Sequence, residues 1–340
     1  MSNPPPLAAI LGCAGTELTT CEIELLRNNK PLGLILFERN CVSPDQVKLL
    51  ITSFREVVGR EDAPVLIDQE GGRVTRLKPP HWRHAPAAKA FVEITESRGL
   101  DVAAKAIRSN YRLIGAELKA AGITVDCAPV LDRPIADADP IIGDRALGGE
   151  VKFIKELGSA TCAGLLDVGV LPVIKHLPGH GRALVDSHMK LPRVDATLYD
   201  LKHTDFEPFR HLASQPLGMT AHVIYSAIDA VHPATISAKV ISDVIRGYIG
   251  FDGLLISDDL SMKALSGTIS ERTEAALVAG CDVVLHCNGN ISEINEVVAA
   301  VSQMTEEAMH RWKGAVEHIR TNGPIDYAPD LKLLQEFSLA

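Results

Sequence analysis

Val170-Leu-Pro-Val-Ile174 runs directly into Lys175-His-Leu-Pro-Gly-His-Gly-Arg-Ala-Leu-Val-Asp-Ser-His188. The first five residues form a continuous apolar run of the length expected for a buried strand. Pro178, Gly179 and Gly181 then forbid a helix and permit a tight, adaptable loop. His176, His180 and His188 share that loop with Lys175 and Asp186. A solvated loop carries mixed charges, not three imidazoles. Such a density of titratable groups at the end of a buried strand points to a functional site.

The same alternation repeats on either side. Short apolar runs at Leu7–Cys13, Gly33–Phe37, Pro64–Ile67, Ile123–Leu131, Leu217–Ala221, Leu254–Ile256 and Val283–Leu285 read as further strands. Helical spacing is expected over Thr19–Asn28, from Ser43-Pro44 to Val58, and over Val102–Ala121, Glu150–Val168 and Leu198–Ala213. It recurs from Ser237 to about Tyr248 and over Glu271–Ala279, Ile291–Met304 and Glu306–Ile319. Strands alternating with helices imply a parallel sheet with right-handed crossovers. Eight such strands in 340 residues fit an α/β fold of one (β/α)8 TIM-type barrel. A doubly wound sheet usually has a Gly-x-Gly-x-x-Gly crossover after its first strand, and Gly12-Cys-Ala-Gly15 is not one. One barrel domain is therefore expected over residues 1–340, with a weakly patterned tail after Thr321.

Composition narrows the partners. The net charge is −9 and there is no basic run, which argues against nucleic acid as the main partner. The longest apolar stretches fall well short of the roughly 20 residues of a membrane span. Leu7–Cys13 superficially resembles a lipoprotein cleavage site. It lacks a positively charged flank and follows three prolines, so a first strand is the better reading. Seven cysteines without a Cys-x-x-Cys pair suggest reduced thiols and a cytoplasmic location.

In a parallel barrel, chemistry gathers at the carboxyl ends of the strands. Those ends carry Asp68 after the third strand, Lys175-His176 after the fifth, His222 after the sixth and Asp258 after the seventh. Arg145 lies in the loop after the fourth. Asp258 is expected at the barrel mouth, with the adjacent Asp259 turned away and better suited to capping. Asp186-Ser-His188 places a carboxylate beside an imidazole. That pairing fixes the tautomer and leaves the other ring nitrogen free for proton transfer. Asp68-Gln-Glu-Gly-Gly-Arg-Val-Thr-Arg76 adds Arg73 and Arg76 to paired glycines that allow close backbone approach. Arg73 fits a surface ion pair as well as a site.

Together, Ile67-Asp-Gln-Glu-Gly-Gly-Arg-Val74, Ile142-Gly-Asp-Arg145, Lys175-His-Leu-Pro-Gly-His-Gly181, Asp186-Ser-His188, Ala221-His-Val-Ile-Tyr225 and Ser257-Asp-Asp-Leu-Ser-Met262 resemble glycoside hydrolase family 3. Within it they resemble the bacterial single-domain β-N-acetylglucosaminidases of cell-wall recycling. Leu177 and Leu147 stand where the family usually has Phe. The resemblance implies Asp258 as nucleophile, His188 as general acid/base and Asp186 as its partner. It further implies that Asp68, Arg76, Arg145, Lys175 and His176 bind the sugar, and His222 is a possible pocket residue. No metal or cofactor is implied. The implied substrate is an amino-sugar glycoside, specifically the terminal GlcNAc of GlcNAc-1,6-anhydro-muropeptides. Two other chemistries fit the same residues: a phosphorylase on this scaffold, and a metallohydrolase using His176, His180 and His188. Pro178-Gly179 count against the second, because they break the helix a His-x-x-x-His pair needs.

Overall fold

The computed structural model describes residues 4–319 and 325–340. Eight parallel strands close into a barrel: β1 (Leu7–Gly12), β2 (Pro31–Leu36), β3 (Val65–Ile67), β4 (Val125–Asp126), β5 (Leu171–Leu177), β6 (Leu217–Thr220), β7 (Leu254–Asp259) and β8 (Val283–His286). Each strand pairs with its neighbours in sequence. β8 returns to β1 through Ala9–Val284 and Ile10–Leu285. Barrel strands are covered on one side by the interior and on the other by helices, so their residues are apolar on both faces. This is why plain apolar runs located them.

The surrounding helices start and stop where their caps dictate. Ser43 accepts a hydrogen bond from the Gln46 amide ahead of Pro44, and Gly59 ends that helix in the left-handed region. Thr19 and Glu22 form a reciprocal capping box at the helix Thr20–Asn29. The same device moves one expected start. The helix expected from Glu271 begins at Ile269, because Thr268 caps the Glu271 amide and Glu271 returns the bond.

Several expectations need correction, and the helix expected over Ile291–Met304 stops at Ala300. β5 continues through Lys175 and His176 to Leu177, because Lys175 bonds across to Pro129 and Leu131 and keeps the chain in the sheet. β7 likewise includes Asp258 and Asp259. The segment Leu198–Ala213 breaks into Leu198–His203 and Glu207–His211, and the buried Asp205 between them accepts a bond from Arg182 Nε at 2.7 Å. A helix at Ala88–Arg98 was not expected. It has no side-chain cap, and Gly99 at φ 94° separates it from the helix Leu100–Ala121.

The start of the tail, residues 322–324, lies outside the described residues. Further on, Ala328–Gln335 is helical. Its Asp330 accepts a bond from Ser109 at 2.7 Å and faces Arg112 at 3.2 Å, on the helix Leu100–Ala121. Two turns held by one buried carboxylate carry no long apolar stripe, so the pattern is weak. Among the described residues, no helix is long and apolar enough to cross a membrane.

Candidate active site

The carboxyl ends of the strands surround a cleft of about 840 Å³ up to its open mouth. Asp68, Arg76, Arg145, Lys175, His176, His188 and Asp258 all line it. Residues from three strand ends and from the loops after β3, β4 and β5 therefore meet in one place.

One wall is a lattice of charges. Lys175 Nζ lies 2.9 Å from Asp68 Oδ1 and 2.6 Å from Glu70 Oε1. Arg76 donates to the other oxygen of Asp68 at 3.0 Å. Arg145 grips Glu70 with two parallel bonds of 2.7 and 2.8 Å, the strong fork geometry of guanidinium and carboxylate. Burial opposes ionisation of Asp68, but Lys175 and Arg76 outweigh it and hold the carboxyl well below its usual range. Burial also opposes ionisation of Glu70, yet Arg145 and Lys175 bring it down to about 2. These oxygens and N–H groups are pre-aimed and charged, and such a surface can accept from and donate to vicinal hydroxyls.

Glu70 was part of the quoted motif but was not singled out as a site residue. Next to it stand Gly71 and Gly72, at φ 90° and 56°, where added Cβ atoms would collide with the Pro86 carbonyl oxygen and with Ala87 Cβ. Glu70→Gln leaves Lys175 and Arg145 short of a buried partner charge. We expect a loss of about 3 kcal/mol at neutral pH, typical of breaking a buried pair. Because the folded-state pKa of Glu70 is depressed, its stabilisation is present above the ordinary value of 4.5 and is lost as pH falls toward about 2. The variant and the parent should therefore converge in stability on acidification, measured by denaturant unfolding at several pH values. An equal gap at pH 7 and pH 2.5 would count against the pairing.

His176 is oriented by a residue the sequence reading missed. Asp132 is fully buried, and its Oδ2 lies 2.6 Å from His176 Nδ1. Its other oxygen accepts the amide N–H groups of His176 and His180 at 3.2 and 2.6 Å. His180 also lines the cleft, and burial pushes its imidazole down to about 4 against the pull of Asp132. Arg73 is a rim residue: its Nε pairs with Asp144 at 2.7 Å, and its terminal nitrogen holds the carbonyls of Pro140 and Ile141.

The dyad forms locally. Asp186 Oδ1 accepts from the His188 amide and lies 2.8 Å from His188 Nδ1, leaving Nε2 for the cleft. Burial opposes ionisation of Asp186, but its bonds from His188 hold it below its usual range.

At the end of β7 the two neighbouring aspartates differ, although both line the cleft. Asp259 is occupied: one oxygen accepts from the Ser261 and Cys287 amides at 3.0 and 3.1 Å, and the other from the Ser261 hydroxyl at 2.6 Å. Asp258 accepts one bond, from the Asp259 amide at 2.8 Å, and its second oxygen takes none from a described residue. Burial raises the Asp258 carboxyl, but the imidazoles of His222 and His176 outweigh it and keep the group below its usual range. An ionised carboxylate with one open oxygen is what nucleophilic attack requires.

His222 is placed differently from a pocket residue. It is fully buried behind β7, with Nδ1 2.7 Å from Thr235 Oγ1 and Nε2 2.9 Å from the Asp259 carbonyl oxygen. It braces the strand end and is not among the residues lining the cleft. The imidazoles of His176, His180 and His188 are engaged separately. Asp132, Ser187 and Asp186 each engage a different ring, and no cluster among the described residues is arranged to hold a metal.

Paired charges and an open strand-end carboxylate lining one cleft at the mouth of a barrel mark an enzyme site. The chain belongs to glycoside hydrolase family 3, and residues 11–321 match that family's N-terminal domain. The β-hexosaminidase of Alkalilimnicola ehrlichii is 39% identical over 283 residues, 82% of this chain and 80% of that protein. The β-hexosaminidase of Bordetella avium is 34% identical over 338 residues, 97% and 92% of the two chains. Among solved structures, NagZ from Neisseria gonorrhoeae in complex with N-trifluoroacetyl-D-glucosamine matches with a TM-score of 0.88. It is 28% identical and covers 99% of this chain and 100% of that one.

Proposed function

We propose that this glycoside hydrolase is a retaining, exo-acting β-N-acetylglucosaminidase whose barrel is a single catalytic domain. The observation that carries the reading is one cleft lined by an open, ionised Asp258, by His188 paired with Asp186, and by the Asp68–Lys175–Glu70–Arg145 lattice. Asp258 attacks the anomeric carbon as the bond to the glycosidic oxygen breaks. The proton on His188 Nε2 passes to that oxygen. A covalent glycosyl-enzyme results. Water then gives a proton to the neutral imidazole, its oxygen attacks the same carbon, and Asp258 is released with net retention.

The second group in such enzymes is usually another carboxyl, so an imidazole held by a carboxylate is a variant of the scheme. The natural substrate proposed is the terminal GlcNAc of GlcNAc-1,6-anhydro-muropeptides. A cytoplasmic setting accords with seven free cysteines.

Aryl N-acetyl-β-glucosaminide should be cleaved well and aryl β-glucoside poorly, unchanged by EDTA or by phosphate. Faster turnover of the glucoside would reject the sugar assignment. Zinc-reversible loss in EDTA would favour metal chemistry. Release of a sugar phosphate would favour a phosphorylase.

A further inference from the structure

The loop carrying Asp186 and His188 is anchored at both ends. At its start, Asp139 bonds to the Ala183 carbonyl at 2.8 Å, and Arg182 Nε donates to the buried Asp205 at 2.7 Å. At its end, Arg193–Val194 pairs with Ile224–Tyr225 as two short parallel strands. Between these anchors, Leu184 and His188 to Leu191 are exposed, whereas Ser187 is buried.

The Ser187 hydroxyl lies 3.0 Å from His180 Nε2. His180 is itself held to the barrel, its amide donating to Asp132 and its ring leaning on His176 at 5.8 Å between centroids. The other ring nitrogen, Nδ1, is buried with no hydrogen-bond partner among the described residues. The contact to Ser187 is therefore the ring's only hydrogen bond there. Ser187 also sits at the centre of a hydrogen-bonded turn. Asp186 Oδ1 takes both bonds from His188, and the Asp186 carbonyl accepts from the Met189 and Lys190 amides at 3.0 Å. Fixing Ser187 therefore fixes the dyad as a unit.

We propose that His180 and Ser187 form a latch that docks the Asp186–His188 turn against the cleft. Both act as positioning residues for proton transfer by His188. The latch rests on the reading of His188 as the acid. A loop anchored only at its ends would leave that imidazole free to move relative to the cleft, and misplacement of a proton donor by an ångström costs rate. The ring contributes no charge to the docking, so the contact works as a neutral hydrogen bond shielded from water.

The test compares Ser187→Ala, His180→Phe, their double variant and His188→Ala on two aryl N-acetyl-β-glucosaminides, one with an activated and one with a poor leaving group. Ser187→Ala and His180→Phe should each slow the poor-leaving-group substrate about tenfold or more, without exceeding the ~10²–10⁴-fold that acid catalysis itself is worth. The activated substrate should slow distinctly less. The double variant should be no slower than the worse single one, because both remove the same interaction. Amides of residues 184–191 should exchange hydrogen faster in each single variant. Additive losses, or equal losses on both substrates, would overturn the latch if His188→Ala still discriminates between the leaving groups. If His188→Ala does not discriminate, the acid assignment fails first and the latch falls with it.

Discussion

Asp258→Asn should reduce turnover by on the order of 10⁴–10⁶-fold, the scale seen when a covalent nucleophile is removed. Asn keeps the size of the side chain and can still accept the Asp259 amide bond. The fold and sugar binding should therefore persist, which inhibitor titration can check. Only the charge that attacks the anomeric carbon and steadies an oxocarbenium-like transition state is lost. Asp259→Asn is the matched control. Its carboxylate is occupied by Ser261 and Cys287, so the change should lower stability through weakened hydrogen bonds and keep turnover within about tenfold. A mechanism-based fluorosugar should leave an ester on the peptide containing Asp258, placed by tandem mass spectrometry. An ester on Asp259 or Asp186, or a product of inverted configuration, would overturn the assignment.

His188→Ala should cost about 10²–10⁴-fold on substrates with poor leaving groups, the usual worth of general acid catalysis. Activated aryl substrates need little protonation and should retain far more of the glycosylation step. The His188 side chain is 59% exposed, so its removal opens no core cavity and the loss can be assigned to chemistry. Asp186→Asn should weaken the same step, because its amide oxygen can still accept from Nδ1 but no longer brings a negative charge to steady the protonated ring. Asp186 is held below the usual carboxylate range by its bonds from His188, so the ring faces a charged acceptor. An unchanged rate for His188→Ala on a poor leaving group would mean that another residue donates the proton.

All eight barrel strands were legible because a strand buried on both faces must be apolar throughout, and an ionisable residue at its end stands out. Asp68, Lys175, His176 and Asp258 were visible for that reason. The dyad was visible because its partners are two residues apart. Helix boundaries were less so. Thr268 and Glu271 set a start by a reciprocal cap three residues long, which an apolar-spacing argument passes over.

What the sequence by itself determined is local: the order of the barrel strands, the residues at strand ends, and pairs such as Asp186 and His188 that meet within one turn. Contacts across the barrel were decided by the tertiary structure. Lys175 meets Asp68 across 107 residues, and Asp132 orients His176 across 44. Neither residue carries a mark of its partner in its neighbourhood, because closing the barrel is what brings the strand ends within hydrogen-bond reach. The same closure turned His222 inward to brace Asp259 instead of lining the cleft. It also set Glu70 between Arg145 and Lys175, where burial makes an ionised carboxylate tenable only because two cations face it.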